Sequence, residues 1–250
     1  MKIGIIGLGL IGGSIYRDLQ QLNYDVVAVS QSQNGSNIYK NFEILKTCDL
    51  VFVCSPMNKT LSILDKLETI LSSDTIVTDV CSLKMFVSKK KRPYKFIPSH
   101  PMAGTEHQGF ENSMSGLFKG KKWVITPAFG EDGTLIDIIR ELGAEPIITT
   151  PEKHDEAAAL ISHMPMLIAQ AIFKTAEDNE LALQMASSGF RDMTRLAMSN
   201  VEMANDMILM NSENIQTSIL KLYKSIGDLT NSNYLPQIKE IKSKRQTMFL

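Results

Sequence analysis

One histidine lies on a short turn about midway along the chain. His100 is flanked by Ser99 and Pro101 and followed by Gly104, so a rigid residue and a flexible one bound its segment. A neutral imidazole can accept a proton near physiological pH, which is the task of a general base. Residues before this turn alternate between strand and helix patterns, and those after residue 150 read as helices. His100 is therefore a candidate base where two parts of the chain meet.

A glycine motif near the N-terminus is the second candidate for chemistry. The sequence GLGLIG at residues 7–12 follows a short apolar strand pattern and precedes a helical pattern over residues 13–22. In dinucleotide-binding folds the first glycine permits the turn, the second lets the backbone approach a pyrophosphate, and the third allows close packing of helix on strand. Backbone N–H groups at the start of the helix then bind the phosphates. The predicted cofactor-binding residues here are Gly7, Gly9, Leu10, Ile11 and Gly12.

The residues after the second predicted strand bear on the choice of nicotinamide cofactor. An acidic side chain there binds the ribose 2′-hydroxyl and repels a 2′-phosphate. The strand over residues 26–29 is followed by Ser30 and Gln31, with no carboxylate beside them. Hydroxyl and amide groups can donate hydrogen bonds to a phosphate, and Lys40 would join them if the loop folds back. We therefore expect NADP, with NAD as the alternative.

The alternation of strand and helix continues to about residue 150. Strands are predicted over 49–54, 75–80, 95–97, 122–126 and 145–149, with helices over 60–71 and 135–142. This order predicts a Rossmann-type, doubly wound, mostly parallel sheet, which binds ligands at the carboxyl ends of its strands. Gly9, Ser55 with Pro56, Ser82 and His100 all follow predicted strands and are expected at one edge.

From Pro151 onward, alanine, methionine and leucine replace the glycines and β-branched runs. Helices are predicted over 151–175, with a kink at Pro165, and over 201–226 and 235–245, with a break around 187–195. The fold class is thus α/β: a dinucleotide-binding domain over residues 1–150, then an all-α domain over residues 151–250. We expect the helical domain to bind a small acid and to form a homodimer.

Composition excludes several classes of function. The 26 basic and 27 acidic residues leave a net charge of -1, which gives no electrostatic footprint for nucleic acid. Three cysteines without CxxC spacing argue against a disulfide framework or a metal site and favour a reducing compartment. No apolar run is expected to reach the roughly 20 residues that a membrane span requires. We expect a cytoplasmic protein that binds neither a metal nor a membrane.

Five segments together resemble the prephenate/arogenate dehydrogenases of tyrosine biosynthesis. The glycine motif is generic to dinucleotide folds, whereas the His-Pro and Gly-Phe-Arg-Asp motifs are far more discriminating. The motifs follow the family's order and spacing over roughly residues 1–200. The segments are GLGLIGGS (7–14), TDVCSLK (78–84), SHPMAGTE (99–106), SHMP (162–165) and SGFRDMTR (188–195).

The resemblance implies the oxidative decarboxylation of a cyclohexadienol acid. A hydride leaves the ring carbon that bears the hydroxyl for the nicotinamide, the hydroxyl loses its proton, and carbon dioxide departs as the ring becomes aromatic. By the same resemblance His100 is the base, and Ser82 contacts the hydroxyl and orients the histidine. Arg195 corresponds to an arginine that clamps a substrate carboxylate. His163 corresponds to a pocket histidine, and Thr105 and Glu106 to the pocket wall.

Structural alternatives exist for several of these residues. Ser82 could instead be a helix N-cap before Lys84, Arg195 could form an ion pair with Asp192 or with a neighbouring helix, and His163 could simply be buried. His154 and His107 are weaker candidates for the site. A hydroxyacid dehydrogenase or imine reductase would place a catalytic lysine in the helices, but no matching motif surrounds Lys174 or Lys221.

One departure from the family pattern bears on the substrate. Many members that use prephenate carry a second histidine three residues after the first, where this chain has Met166. Members that lack it include arogenate-specific ones. Together with Ser30, this favours arogenate and NADP, and the alternative is prephenate oxidised to 4-hydroxyphenylpyruvate with either cofactor. A non-catalytic NADP sensor is a remote alternative, since it would not need His100, Ser82 and Arg195 together.

Overall fold

A parallel sheet of six strands forms the first part of the computed structural model, which describes residues 1–105, 107–130, 132–231 and 234–248. The strand order is β3-β2-β1-β4-β5-β6. This arrangement confirms the predicted Rossmann-type fold. The strands are β1 (Lys2–Ile6), β2 (Asp25–Val29), β3 (Ile38–Tyr39), β4 (Leu50–Val53), β5 (Ile76–Asp79) and β6 (Lys95–Phe96).

Helices cover both faces of this sheet, so its central strands are buried on both sides. The alternation of side chains along β1 sends Ile3 and Ile5 into one hydrophobic cluster and Ile6 into another. Each fully buried isoleucine contributes roughly 1.5–3 kcal/mol to folding. The helices of this part are α1 (Leu10–Gln21), α2 (Met57–Leu67) and α3 (Gly133–Glu141).

The remaining strands form a separate sheet of three in the order β7-β8-β9, so the prediction that they extend the first sheet is wrong. Ile97 still donates to Val77 of β5, but Pro98 has no N–H to continue that ladder. The carbonyl of Pro98 instead accepts from the N–H of Thr126. The chain then turns, and β7 pairs antiparallel with β8, the strand that ends at Ile125. The strands are β7 (Ser99–Pro101), β8 (Lys122–Ile125) and β9 (Glu145–Ile148).

Every described element after residue 150 is a helix. The first run comprises α4 (Pro151–Ala158), a π-helical turn (Ala159–His163) and α5 (Met164–Ala176). The N–H of Met164 bonds five residues back to Ala159, which widens the helix just before Pro165 where a kink was predicted. The later helices are α6 (Glu180–Gln184), α7 (Ser188–Thr194), α8 (Val201–Met210), α9 (Ser212–Asn231) and α10 (Tyr234–Met248).

Two predicted boundaries in the helical part differ from the structure. The predicted break around 187–195 is itself mostly helix α7, and the chain breaks before it, at residues 185–187. The long helix predicted over 201–226 is divided at Asn211, which is buried and caps α8. The first difference arises because a short polar segment can be helical when it packs on a neighbouring helix, as α7 does on α5. The second is an interruption of a predicted helix, at a residue whose side chain bonds to Asp155 and His163.

One helical stretch meets the length and composition needed to cross a membrane, contrary to the expectation that none would. It is Pro151–Ala176, with a mean hydropathy of 1.3 in its most apolar window. The stretch also contains His154, Asp155 and His163, which are buried and hydrogen-bonded to neighbouring elements of this chain. These contacts join the stretch to β7 and to Asn211 in the described part of the chain.

Candidate active site

The glycine turn has the shape that a dinucleotide requires. Gly7 has φ of +89°, and a Cβ there would lie 2.4 Å from the carbonyl oxygen of Cys54. A Cβ on Gly12 would lie 2.0 Å from the carbonyl oxygen of Gly7, so only glycine lets α1 come this close to β1. A Cβ on Gly9 would meet no atom within 4 Å. The turn is therefore tight on its protein side and open at Gly9, where the motif places the pyrophosphate.

The start of α1 offers free backbone donors beside this opening. The N–H of Gly13 bonds to the carbonyl of Gly9 at 2.9 Å, and no side chain caps the helix. In an α-helix the preceding N–H groups, those of Leu10, Ile11 and Gly12 here, have no partner within the helix. Ser55 and Pro56 lie next to the turn, because β4 pairs with β1. These residues fit a bound phosphate group.

The end of β2 carries polar groups and a cation but no carboxylate. Ser30 is buried, and its hydroxyl accepts from the N–H of Gln33 at 3.1 Å. The parallel pairing of β3 with β2 folds the loop back, so Lys40 Nζ donates to the carbonyls of Gln31 at 3.1 Å and Gln33 at 2.7 Å. The amide of Gln31 in turn donates to the Lys40 carbonyl at 2.9 Å. The folded loop thus brings Ser30, Gln31 and Lys40 together.

His100 lies in β7 and is partly exposed. Its Nδ1 is 3.0 Å from Nε2 of His154 on α4. Burial lowers the pKa of His100 well below the ordinary value for histidine, and the electrostatic effects of His154, Lys84 and His163 lower it further. The imidazole is therefore neutral at pH 7, which is the state that a proton acceptor needs.

A buried ion pair holds the backbone on which His100 stands. Lys84 is fully buried, and its ammonium contacts the carboxylate of Asp79 and donates to the carbonyl of Ser99 at 2.6 Å. The hydroxyl of Ser99 accepts from the indole of Trp123 at 2.9 Å. These contacts tie the end of β5 to β7 and fix the position of the strand that carries His100.

Ser82 lies in the segment between Asp79 and Lys84 and is partly exposed. No α-helix begins at Lys84, so the alternative role of Ser82 as a helix cap is wrong. Its hydroxyl makes no hydrogen bond within the part of the chain that the structure describes. The side chain is therefore available to a ligand.

His163 is completely buried at the end of the π-helical turn. Asn211 donates from Nδ2 to Nδ1 of His163 at 3.1 Å and to the backbone carbonyl of Asp155 at 2.8 Å. Nδ1 of His163 is thus an acceptor, and a neutral ring carries its hydrogen on Nε2. Nε2 has no partner among the described residues, and burial lowers the pKa of this histidine to about 4. A buried donor without a partner is costly unless a ligand accepts from it.

Arg195 is exposed at the start of a short 3₁₀ turn, Arg195–Met198. Asp192 lies 3.7 Å from Arg191 rather than from Arg195, so the predicted alternative ion pair is wrong. Over residues 1–105, 107–130, 132–231 and 234–248, Arg195 has no ion pair. The adjacent Leu196 packs on the buried cluster that is formed by Met57, Cys81, Leu83, Met166, Ala204 and Met207.

The predicted pocket wall after His100 is only partly described. Thr105 is exposed, and its hydroxyl accepts from the N–H of His107 at 3.2 Å, which stabilises the local turn. Glu106 lies outside the described residues.

The sequence interpretation missed Asp155 and Asn211 and ranked His154 low. Asp155 is buried and accepts hydrogen bonds from the backbone N–H groups of Lys84 at 2.8 Å and Met85 at 2.9 Å. The only available signal was an adjacent histidine and aspartate at the start of a predicted helix. No local pattern pointed to Asn211, because both of its buried partners lie about fifty residues away in sequence.

Two family models match the chain. One, described as "Prephenate dehydrogenase, nucleotide-binding domain", matches residues 24–160 and so begins after the glycine turn. The other, described as "Prephenate dehydrogenase, dimerization domain", matches residues 150–235. Together they cover both the strand-rich and the helical parts.

Individual relatives agree with the models. A prephenate dehydrogenase of Lactococcus lactis is 30% identical over 85% of this chain, which spans 65% of the length of that relative. Synechocystis arogenate dehydrogenase, known from a crystal structure, is 31% identical in sequence to this chain. The two structures superpose with a TM-score of 0.81, covering 99% of this chain and 97% of that one. Prephenate dehydrogenase from Aquifex aeolicus, in complex with hydroxyphenyl propionate and NAD+, is 28% identical with a TM-score of 0.87, covering 99% and 98%.

Proposed function

The chain belongs to the prephenate dehydrogenase family, and from this premise we propose that it converts arogenate to tyrosine by oxidative decarboxylation with NADP+. The observation that carries the proposal is His100: a neutral, partly exposed imidazole, held by a buried ion pair at the junction of a dinucleotide fold and a helical part. An oxidation of this kind requires one proton acceptor beside the reacting hydroxyl.

In the proposed reaction His100 accepts the proton of the ring hydroxyl. Ser82 donates to or accepts from the same hydroxyl and keeps it in line with the imidazole. A nicotinamide cofactor held by the glycine turn would supply the acceptor for the hydride that leaves the ring carbon. The ring carboxylate departs as carbon dioxide and its bonding electron pair enters the ring, which leaves the oxygen as a phenolate. That oxygen takes the proton back from His100 and becomes a phenol hydroxyl. Aromatisation supplies the driving force, so the protein's contribution is alignment and one proton transfer.

Two groups on the helical side are proposed to hold the acid. Arg195 has a planar guanidinium without an ion pair in the described chain, which suits a bidentate contact with a carboxylate. His163 has a buried Nε2 without a partner among the described residues, which suits a hydrogen bond to a substrate oxygen. Thr105 and Glu106 are proposed to line the pocket beside them.

We propose NADP+ rather than NAD+ on the basis of the loop after β2. Ser30 and Gln31 offer a hydroxyl and an amide, and Lys40 adds a positive charge within hydrogen-bond distance of the same loop. A 2′-phosphate near these groups would meet a cation and no carboxylate. NAD+ is the alternative, and it is the cofactor named in the Aquifex aeolicus complex.

The choice of arogenate over prephenate depends on Met166. It is buried in a cluster with Cys81 and Leu83, where many prephenate-using members are expected to carry a histidine. The Synechocystis relative is named an arogenate dehydrogenase, whereas the Lactococcus lactis relative is named a prephenate dehydrogenase. Prephenate is therefore the second candidate.

We also propose a cytoplasmic homodimer that assembles through the helical part. The match to a dimerization domain over residues 150–235 supports the assembly. Large apolar side chains on these helices are exposed in the single chain, among them Ile161, Met198 and Tyr223. Three free cysteines agree with a reducing compartment.

A four-way assay tests the function. The purified protein is given arogenate or prephenate with NADP+ or NAD+, and reduced cofactor, tyrosine and 4-hydroxyphenylpyruvate are measured. We expect the highest kcat/KM for arogenate with NADP+. A higher value for prephenate would favour the second candidate, and no turnover of either acid would overturn the proposal.

A substitution at Lys40 tests the cofactor assignment. Lys40→Ala should lower kcat/KM for NADP+ about tenfold and leave that for NAD+ nearly unchanged, because a charge-assisted hydrogen bond to phosphate is lost. Lys46→Ala is the matched control, since Lys46 is also exposed and pairs with Glu43 at 2.6 Å. Equal losses with both cofactors would contradict a role in reading the 2′-phosphate.

A further inference from the structure

A row of hydrogen bonds runs inward from His100 to a buried carboxylate. His100 Nδ1 is 3.0 Å from His154 Nε2, and His154 Nδ1 is 2.7 Å from Asp155 Oδ1. Both His154 and Asp155 are almost fully buried, whereas His100 keeps part of its surface open. The row therefore begins at the site and ends inside the protein.

The hydrogen positions along this row follow from its inner end. Asp155 accepts backbone N–H bonds from Lys84 at 2.8 Å and Met85 at 2.9 Å, one on each oxygen, so both carboxylate oxygens act as acceptors. A carboxylate can only accept, so Nδ1 of His154 carries a hydrogen. The neutral ring then has its lone pair on Nε2, and His100 must donate to it from Nδ1. The lone pair of His100 is left on Nε2.

We propose that His154 is a positioning residue, which together with Asp155 fixes His100 as the tautomer that carries its hydrogen on Nδ1 and presents Nε2 as the proton acceptor. The inference rests on the proposed function only in assigning His100 as the base. The tautomer itself follows from the contacts of the protein.

The same row stabilises the product of the proton transfer. After Nε2 takes a proton, His100 is an imidazolium, and its Nδ1–H still points to a neutral acceptor backed by the Asp155 carboxylate. The ammonium of Lys84 also lies near His100 and would oppose a positive charge there. Asp155 is the negative group at the end of the row, so it offsets this repulsion.

The row also joins three elements that pack against each other at the site. His100 is on β7, His154 and Asp155 are on α4, and the two N–H donors belong to the segment that follows Ser82. Asn211, between α8 and α9, donates to the carbonyl of Asp155 at 2.8 Å. Among these contacts, the bond between His100 and His154 joins α4 to β7, so movement of α4 relative to the three-stranded sheet would break it.

Nitrogen NMR reads the tautomer without any substrate. The chain has four histidines, so ¹⁵N-histidine labelling gives few ring signals, and loss of each signal in a variant assigns it. We expect His100 with a protonated Nδ1 and an unprotonated Nε2. The reverse assignment, with His154 protonated and donating to His100, would overturn the proposal. This result stands whether or not either acid is turned over, so it is separate from a failure of the proposed function.

Two substitutions at His154 separate the two ends of its ring. His154→Asn places an amide donor near the former Nδ1 and leaves His100 without its acceptor, whereas His154→Gln places an amide oxygen near the former Nε2. We expect His154→Asn to lower kcat on the order of 10²-fold with little change in KM for NADP+, and to mix the His100 tautomers. His154→Gln should restore kcat to within about tenfold of the wild type.

Thr150→Ala is the control for a purely structural role. Thr150 caps the same helix by accepting from the N–H of Lys153 at 3.3 Å, and its loss loosens α4 without touching the imidazole of His154. We expect wild-type kcat and an unchanged His100 spectrum in this variant. Equal losses of kcat in all three variants, or wild-type kcat in His154→Asn, would overturn the assignment.

Discussion

Residues 1–150 and the helices that follow differ in how far they bury their large apolar side chains. In the first part, no large apolar side chain among the described residues is more than 49% exposed, and the buried ones fill two clusters around the six-stranded sheet. In the helical part, exposure reaches 81% for Val201 and 77% for Tyr223. The first part can therefore cover its own core, whereas the second leaves an apolar surface for another molecule to cover.

Polar groups follow the same division. Around β5 and β7, Lys84, Asp79 and Ser99 satisfy one another inside the protein. On the helical side, Nε2 of His163 and the guanidinium of Arg195 have no partners in the described residues. The backbone that carries the proposed base is thus preorganised, while the side that would hold the acid keeps unused donors. On the first side, the groups left for a ligand are the N–H groups at the start of α1 and the hydroxyl of Ser82.

Removing the base at the junction should have the largest effect of any single change. His100→Asn is expected to lower kcat by about 10²–10⁴-fold, because no other group accepts the hydroxyl proton. The dissociation constant for NADPH, measured by fluorescence, should stay the same, since the glycine turn is untouched. Unchanged turnover in a folded variant would exclude His100 as the base.

Acidification should destabilise the helical side through His163. Its pKa is about 4 in the folded chain against an ordinary value near 6.5, so the unfolded chain binds the proton more readily. Stability is complete above pH 6.5 and falls as the pH drops towards 4, by up to about 3 kcal/mol from this residue. Urea unfolding at several pH values measures the slope.

His163→Gln should flatten that slope, while His100 contributes equally in both proteins and cancels. The control is His107→Gln, on an exposed loop, which should keep the wild-type slope. Parallel slopes for wild type and His163→Gln would contradict the assignment.

Two glycine substitutions test whether the cofactor side is preorganised. Gly12→Ala forces α1 away from the turn, so both the melting temperature and NADP+ affinity should fall. Gly9→Ala meets no atom within 4 Å, so the melting temperature should stay the same while affinity falls about 10- to 100-fold. Calorimetry and cofactor titration measure the two quantities. Normal NADP+ binding by Gly9→Ala would show that the pyrophosphate does not occupy the opening.

Loss of the unpaired arginine should weaken binding of the acid alone. Arg195→Gln is expected to raise KM for the acid about 10- to 30-fold, with kcat near the wild-type value, because one charge-assisted contact is removed. Arg191→Gln is the matched control, since Arg191 is exposed on the preceding helix near Asp192. An effect confined to NADP+ affinity would contradict the assignment of Arg195 to binding of the acid.

The smallest effect is expected at the apolar surface. Val201→Lys should weaken self-association by about 1 kcal/mol, as measured by sedimentation equilibrium, because a charge enters a surface proposed to be covered. Leu22→Lys, at a position 41% exposed in the first part, should leave association unchanged. Equal self-association of the two variants would contradict the proposal that the helical part, and not residues 1–150, carries the apolar surface covered in the dimer.

The sequence was sufficient for features that depend on local patterns. Apolar runs predicted β1, β2, β4 and β5, and glycine spacing predicted a turn whose Cβ clearances follow the expected roles. The partners of β8 and β9 were predicted wrongly, because Pro98 ends the pairing with β5 and redirects the chain. Such a redirection depends on which strand is free to pair, and no local pattern records it.

The candidate site divides in the same way. His100 was identified from its turn and from the family motifs. The buried residues behind His100 were not identified from the sequence. His154 lies 54 positions from His100 in the chain, and Asn211 lies 56 positions from Asp155, to which it bonds. Contacts of this range arise only once the helical part has packed on the sheets, so a single sequence does not contain their signature.

The π-helical turn Ala159–His163 determines the rotational register of the run that carries both His154 and His163. Each residue of an α-helix turns the next by about 100°. The wide turn accommodates one residue more than a regular helix would hold over the same rise. Deleting Leu160 would therefore regularise the helix and leave α5 in nearly the same orientation against α4. A regular α-helix at the present chain length would instead rotate α5 by about 100° and move His163 away from Asn211. The wide turn thus absorbs one residue of length without changing the faces that the two helices present.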